Sequence, residues 1–270
     1  MPNTPAAPNL KALSESEWTA DKAQQYLKKG RLDVAEELLS QAVKKRKDAV
    51  GAEEAGVAEW LGQLGDVKCR LGKYQEAHEC FDSAISIFEK IFYPQHYRLG
   101  PVLSNKATCY IHQGNFEAAL DVCNRALDIF SKTLSGEHRL TLEATYKLAT
   151  IYRQLKKPDE ALKLIAKAKK NVETPLGPLE EFTFLEAMLQ EDLSKPDLAD
   201  KAFQETIRGL KQRHAVKRLS DCLARYADFL KKQGRDDEAR RAEEQADHYR
   251  AYATTQSRSE DIFPSTLLRA

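Results

Sequence analysis

The 270-residue chain carries 42 Lys and Arg against 41 Asp and Glu, a formal net charge of +1. This balance gives no electrostatic reason to expect a nucleic acid or an anionic membrane as partner. No run approaches the ~18 apolar residues of a membrane span, and the N-terminus lacks a charged-then-apolar signal pattern. The five cysteines have no CxxC pairing, and an odd number leaves any disulfide set incomplete. A reduced, cytoplasmic location is therefore predicted.

The N-terminal residues 1–13 contain three prolines and little core material. This composition predicts a disordered arm. Ser14 and Glu17 stand three residues apart just before Trp18, which is the pattern of a capping box. The first helix is therefore predicted to begin at Ser14.

From there to the C-terminal region, small residues recur in register. A small residue stands at Ala23, Gly65, Ala107, Ala149, Ala187 and Ala227, at intervals of 42, 42, 42, 38 and 40 residues. An alanine follows twelve residues after each of these positions, and another follows nineteen residues after all but one, where Thr206 stands. Such a period is the signature of a repeat architecture.

A helix breaker lies between the first and second small positions of each repeat. It is Gly30, Gly72, Gly114 or Gly234 in four repeats, and Lys156 or Ser194 in the other two. Glycine ends a helix by adopting a left-handed conformation at little cost. In the two variants a proline follows, Pro158 or Pro196, and proline is tolerated in the first turn of a helix. The sequence therefore predicts an all-α chain of six helix-turn-helix units.

The segments "LGKYQEAHECFDSA", "QGNFEAALDVCNRA" and "LKKPDEALKLIAKA" carry a family resemblance. They resemble tetratricopeptide repeats, and the 42-residue spacing resembles the long repeats of kinesin light chains. The resemblance implies a right-handed α-solenoid over residues 14–253, which is a protein-interaction fold. The repeats fall near residues 17–50, 59–92, 101–134, 143–174, 181–212 and 221–253.

The C-terminal residues 254–270 have the composition of a flexible tail. They nevertheless contain an apolar cluster of Ile262, Phe263, Leu267 and Leu268. Three interpretations stay open: an inert tail, a segment that folds back onto the solenoid, and a docking peptide for another protein.

Patterns of catalytic chemistry are absent from the sequence. The histidines show no metal-ligand spacing, and there is no phosphate loop, dinucleotide fingerprint or nucleophile elbow. We therefore predict no metal, no cofactor and no enzymatic activity. An enzymatic alternative would need an acid–base pair such as Glu143 with Lys147, which lie four residues apart and more simply form a surface ion pair.

The resemblance also implies which side chains line the concave groove formed by the first helices of the repeats. Those predicted to contact a partner are Gln63, Asp66, Ser104, Asn105, Thr108, Tyr146, Lys147, Thr150, Phe184, Met188 and Arg225. Within this set, repeats of the family use an asparagine at the position of Asn105 to bind a peptide backbone. A lysine- and arginine-rich carboxylate clamp is not reproduced in this sequence.

The predicted groove is also polarised in charge and polarity. Four acidic residues (Glu17, Asp21, Glu59 and Asp66) lie at its start, and Phe184, Leu185 and Met188 form an apolar group in the fifth repeat. This group is either an exposed anchor pocket or simply packs against the neighbouring hairpin. We predict an adaptor or scaffold that binds a protein segment with basic residues and an apolar anchor. The alternative is a self-assembling structural protein that forms homo-oligomers through the solenoid surface or the tail.

Overall fold

The computed structural model describes residues 9–171 and 179–255. Within these two ranges the chain forms twelve α-helices and no β-strand, which confirms the all-α prediction. In chain order the helices are α1 (Leu10–Lys28), α2 (Leu32–Val50), α3 (Ala55–Arg70), α4 (Tyr74–Ile91), α5 (Leu99–His112), α6 (Phe116–Thr133), α7 (Arg139–Gln154), α8 (Pro158–Asn171), α9 (Leu179–Asp192), α10 (Pro196–Gln212), α11 (Val216–Lys232) and α12 (Asp236–Thr255).

The chain divides into two compact units, unit 1 (residues 1–156) and unit 2 (residues 157–270). In unit 1, α1 packs against α2, α3 against α4 and α5 against α6, while α5 also contacts α3 and α7. In unit 2, α9 packs against α10 and α11 against α12. Each odd-numbered helix is the first helix of a repeat. The unit boundary lies inside the predicted repeat 143–174, whose first helix is in unit 1 and whose second helix is in unit 2.

The turns between the helices have the predicted left-handed residue. Gly30 has φ 72°, and its amide donates to the Leu27 carbonyl, while the amide of Arg31 donates to the Tyr26 carbonyl. This Schellman arrangement satisfies the last carbonyls of α1. Ser194 makes the same turn with φ 56° although it is not glycine, and Pro196 then begins α10. The remaining predicted turn residues, Gly72, Gly114, Lys156 and Gly234, also have positive φ.

The recurring small residues are buried where helices cross. All the alanines of the pattern are at most 4% exposed, and Thr206 is 1% exposed. At Gly65, the one glycine among these positions, a side chain has no room: a Cβ added there would lie 2.7 Å from Cε1 of Phe81, a fully buried ring. The small residues thus allow the backbones to approach while large side chains fill the remaining space, each contributing about 1.5–3 kcal/mol on burial.

The predicted capping box at the start of the first helix was wrong. The helix α1 begins at Leu10, because the Asn9 side chain accepts a hydrogen bond from the amide of Ala12 and supplies the N-cap. Ser14 lies inside this helix. Residues 10–13, predicted as part of the arm, are therefore helical, whereas residues 1–8 lie outside the described residues.

At the other end, α12 continues to Thr255, so the helix includes the first two residues of the predicted tail. The rest of that tail, with its apolar cluster, lies outside the described residues.

Candidate partner-binding face

The predicted groove residues of unit 1 come from three neighbouring helices, α3, α5 and α7. On each helix they lie one, three or four residues apart, which keeps them within about a third of the helix circumference and so on one side. Side-chain contacts connect the helices on this side: Gln24 of α1 donates to Gln63 of α3 at 2.6 Å, and Lys147 of α7 donates to Ser104 of α5. We call this surface, made by the predicted groove residues of α3, α5 and α7, the inner face.

The exposure predicted for Lys147 was wrong. Its Nζ is buried and donates to Ser104 Oγ at 2.7 Å and to the Ser104 carbonyl at 3.3 Å. Burial lowers the pKa of the Lys147 ammonium, because removal from water disfavours the charged form. The side chain therefore joins α7 to α5 and does not offer a free cation to a partner.

The Glu143–Lys147 acid–base pair of the enzymatic alternative is also not formed. Glu143 accepts a hydrogen bond from Arg139 Nη1 at 2.6 Å, one turn earlier on α7. Since Lys147 is bound to Ser104, the two groups have separate partners.

Several other predicted contact residues of the inner face are also buried. Ser104, Tyr146 and Thr150 are less than 9% exposed. The hydroxyl of Thr150 donates to the Tyr146 carbonyl at 3.0 Å, and that of Thr108 donates to the Ser104 carbonyl at 3.0 Å. These groups form the polar floor of the face, where they satisfy carbonyls of their own helices.

Two half-exposed polar groups of the inner face are not tied to another side chain by a hydrogen bond. Within the described ranges, no hydrogen bond is formed by the amide of Asn105 or by the carboxylate of Asp66. The closest cation to Asp66 is Arg70, with 3.9 Å between Nη1 and Oδ2. Burial raises the pKa of the Asp66 carboxyl, which Arg70 and Lys147 partly oppose. Asp66 is therefore a recessed acid without a strong donor.

The negative charge at the start of the predicted groove is partly neutralised by salt bridges. Glu17 lies 3.5 Å from Arg46, and Glu59 pairs with Arg98. Asp21 is exposed and has no salt bridge within the described part of the chain. Within the described residues, Asp21 is thus the acid of this group of four without a salt bridge, and Asp66 has only the long 3.9 Å contact with Arg70.

In unit 2 the predicted apolar anchor is not exposed. Phe184 and Met188 are each 7% exposed, and Leu185 is 1% exposed. The Phe184 ring packs edge-on against Phe203 of α10, with 6.0 Å between centroids. The group is therefore not an exposed anchor, and this ring contact is with the second helix of its own hairpin and not with the neighbouring hairpin. Arg225 is half-buried and pairs with Glu191, so it is not a free cation.

Sequence reasoning missed an aromatic group in the segment that connects α4 to α5. The His96 ring stacks on Phe92 at 4.0 Å, and Tyr93 and Tyr97 pack against His96 while remaining 59% and 49% exposed. The signal was the aromatic density of "FYPQHY" outside any predicted helix.

Among the described residues, no group of three or more His, Cys, Asp or Glu side chains has an arrangement that could hold a metal ion. None of the helices found in those residues combines the length and apolar character needed to cross a membrane.

Fold and inner face together define a helical-repeat protein of the α-solenoid class. The tetratricopeptide repeat family model matches residues 15–90 and 99–173, more than half of the chain, and a second model of the same description matches residues 63–133. The chain belongs to the tetratricopeptide repeat family.

A solved structure of kinesin light chain TPR-like repeats from Podosopora anserina is similar to 75% of this chain and 98% of its own, with TM-score 0.67 and 19% identity. A Rap protein complexed with Competence and Sporulation Factor is similar over 90% of this chain and 66% of its own, with TM-score 0.60 and 15% identity. At these identities the likeness shows the fold alone. The predicted resemblance to kinesin light chain repeats is confirmed.

Among curated proteins, the secreted RxLR effector protein RXLR-C07 of Plasmopara halstedii is 25% identical over 187 residues, 69% of this chain. The matched region is 53% of that protein, so the chain spans about half the length of this relative. The cytoplasmic location predicted from the cysteines stays a prediction.

Proposed function

We propose that this protein is a non-catalytic adaptor whose inner face in unit 1 binds a basic segment of another protein. The observation that carries the proposal is that the contacting helices α3 and α5 each present a polar group that forms no hydrogen bond within the described residues, the recessed carboxylate of Asp66 and the amide of Asn105. Support for a binding role comes from the family and from the Rap protein, a fold relative that was crystallised with a bound factor.

The two groups have complementary roles in this proposal. The Asn105 amide offers a donor and an acceptor, which is what an extended peptide backbone requires. The Asp66 carboxylate lacks a hydrogen bond, so a lysine or arginine of the partner would restore the solvation that burial has removed. Lys147 of the same face is buried and donates to Ser104, so it does not contact Asp66 directly and does not compete with a cation of the partner for it.

The buried anchor residues of unit 2 limit the expected affinity. Without an exposed apolar anchor at Phe184, binding would depend on hydrogen bonds and charge, which favour specificity and a fast on-rate over tight affinity. A charge-assisted hydrogen bond to Asp66 contributes about 2 kcal/mol, so its loss should weaken binding about 30-fold.

Selection from a random displayed-peptide library tests the proposal. We expect the full chain to enrich peptides that contain lysine or arginine, Asp66→Asn to lose that preference, and Asn105→Ala to weaken all selected peptides. The matched control is Asp121→Asn, which removes the same charge from an exposed position on α6. Absence of enrichment on the full chain, or the same basic preference on Asp66→Asn, would overturn the proposal.

A further inference from the structure

Unit 2 has an open groove between α10, α11 and α12, and its lining includes none of the residues predicted to bind a partner. Side chains of α10, α11 and α12 enclose a volume of about 460 Å³. Its floor is apolar and includes Leu223 and Leu230 of α11 and Ala242 of α12, each at most 5% exposed. The groove is large enough to accept one or two apolar side chains of a bound segment.

The rim of this groove is basic. It includes Arg208 and Lys211 of α10 and Arg241 of α12. Within residues 9–171 and 179–255, neither Arg208 nor Arg241 forms a salt bridge or a hydrogen bond. The acidic residue of the lining, Glu238, is held by two hydrogen bonds from Arg235, at 2.8 and 2.7 Å. An occupant with acidic groups next to apolar side chains would match both rim and floor.

The chain itself supplies such a sequence directly after α12. Residues 260–263 read Glu-Asp-Ile-Phe, followed by Leu267 and Leu268. The acidic residues among the 15 that follow Thr255 are Glu260 and Asp261, and they directly precede the apolar pair Ile262 and Phe263. The segment thus combines the acidic and apolar side chains that would match the rim and the floor of the groove.

The length of the connection allows this segment to reach the groove. Gln245, at the near end of the lining, precedes Thr255 by ten residues, or about 15 Å along the helix. Residues 256–260 span up to about 17 Å when extended. Phe263 reaches up to about 27 Å from Thr255, whereas Ala242 of the floor lies about 20 Å away along α12.

We infer that residues 260–268 bind in the groove between α10 and α12 of the same molecule. Glu260 and Asp261 pair with the arginines of the rim, and Phe263 occupies the apolar floor. This contact is on a different surface from the inner face of unit 1 and does not depend on the proposed partner binding.

Hydrogen–deuterium exchange of the full chain tests the inference. We expect amides of residues 260–268 to exchange at least about tenfold more slowly than in an unstructured peptide of that sequence. Asp261→Arg and Phe263→Ser should each remove the protection, and the charge swap of Asp261→Arg with Arg241→Glu should restore it. The control Lys201→Glu reverses an exposed charge of α10 that does not line the groove.

Three results would overturn the inference. The first is exchange of residues 260–268 at the unstructured rate in the unmodified chain, and the second is protection that none of the groove variants changes. The third is protection that rises with protein concentration, which would place the segment in the groove of a second copy.

Discussion

Replacing Gly65 by alanine should destabilise the protein, even though alanine occupies this position in the five other repeats. An added Cβ would lie 2.7 to 3.0 Å from three carbons of the Phe81 ring. Phe81 is fully buried, so the ring has no solvent side toward which it could move. Alanine would gain about 1 kcal/mol in helix propensity, but overpacking of this kind costs about 1–3 kcal/mol. We expect a net loss of about 1 kcal/mol.

The same substitution in a Phe81→Leu background separates the two contributions. Leucine lacks the outer ring carbons, so Gly65→Ala should there become neutral or stabilising by up to about 1 kcal/mol. Urea unfolding followed by helical circular dichroism gives the four free energies of the cycle. A rise in stability of Gly65→Ala in the unmodified background would refute the argument that the Phe81 ring requires glycine here.

Two further predictions follow from buried ionisable groups. Lys147→Met should unfold within about 1 kcal/mol of the unmodified chain at neutral pH, because replacing a buried charge by an apolar side chain is often neutral or better. The folded-state pKa of Lys147 lies below its ordinary 10.5, so the unmodified chain should gain stability relative to Lys147→Met as the pH rises towards 10.5. Urea unfolding across that pH range measures the difference in unfolding free energy between the two proteins. A difference that does not change with pH would contradict this prediction. Among the five cysteines, Cys80 is half-exposed and the others are buried, with the pKa of Cys123 raised to about 12 by burial. A thiol reagent should therefore modify Cys80 first in the native protein, and mass spectrometry showing equal modification of all five would contradict the packing described here.

The helical hairpins could be predicted from sequence because they depend on local rules. A small residue at each crossing and a left-handed residue at each turn recur at fixed spacing, and Ser194 shows that the turn survives without glycine when Pro196 follows. The start of α1 was missed because Asn9 and Ser14 are both competent caps, and only the hydrogen bond from Ala12 distinguishes them.

The exposure of the site residues could not be predicted in the same way. Their positions in the repeat place Lys147 and Asp66 on the same face. Which of the two is buried depends on the side chains of the neighbouring helix, and here Ser104 binds Lys147. Phe184 was misplaced because the apolar residues of α9 are spread around the helix and alternate with acidic ones, so its sequence does not mark one buried side. These outcomes depend on contacts between repeats, which the period alone does not encode.

The most direct test of the adaptor proposal is site-specific photocrosslinking in a lysate of the source organism. A benzoylphenylalanine placed at the half-exposed Thr108 probes the inner face beside Asn105 and leaves the Asn105 amide in place, and one placed at Asp121 of α6 probes an exposed second helix of the same unit. We predict that a partner protein crosslinks at position 108 and not at position 121, through a segment that contains lysine or arginine. No adduct at position 108, or adducts of equal yield at both positions, would contradict a binding role for the inner face.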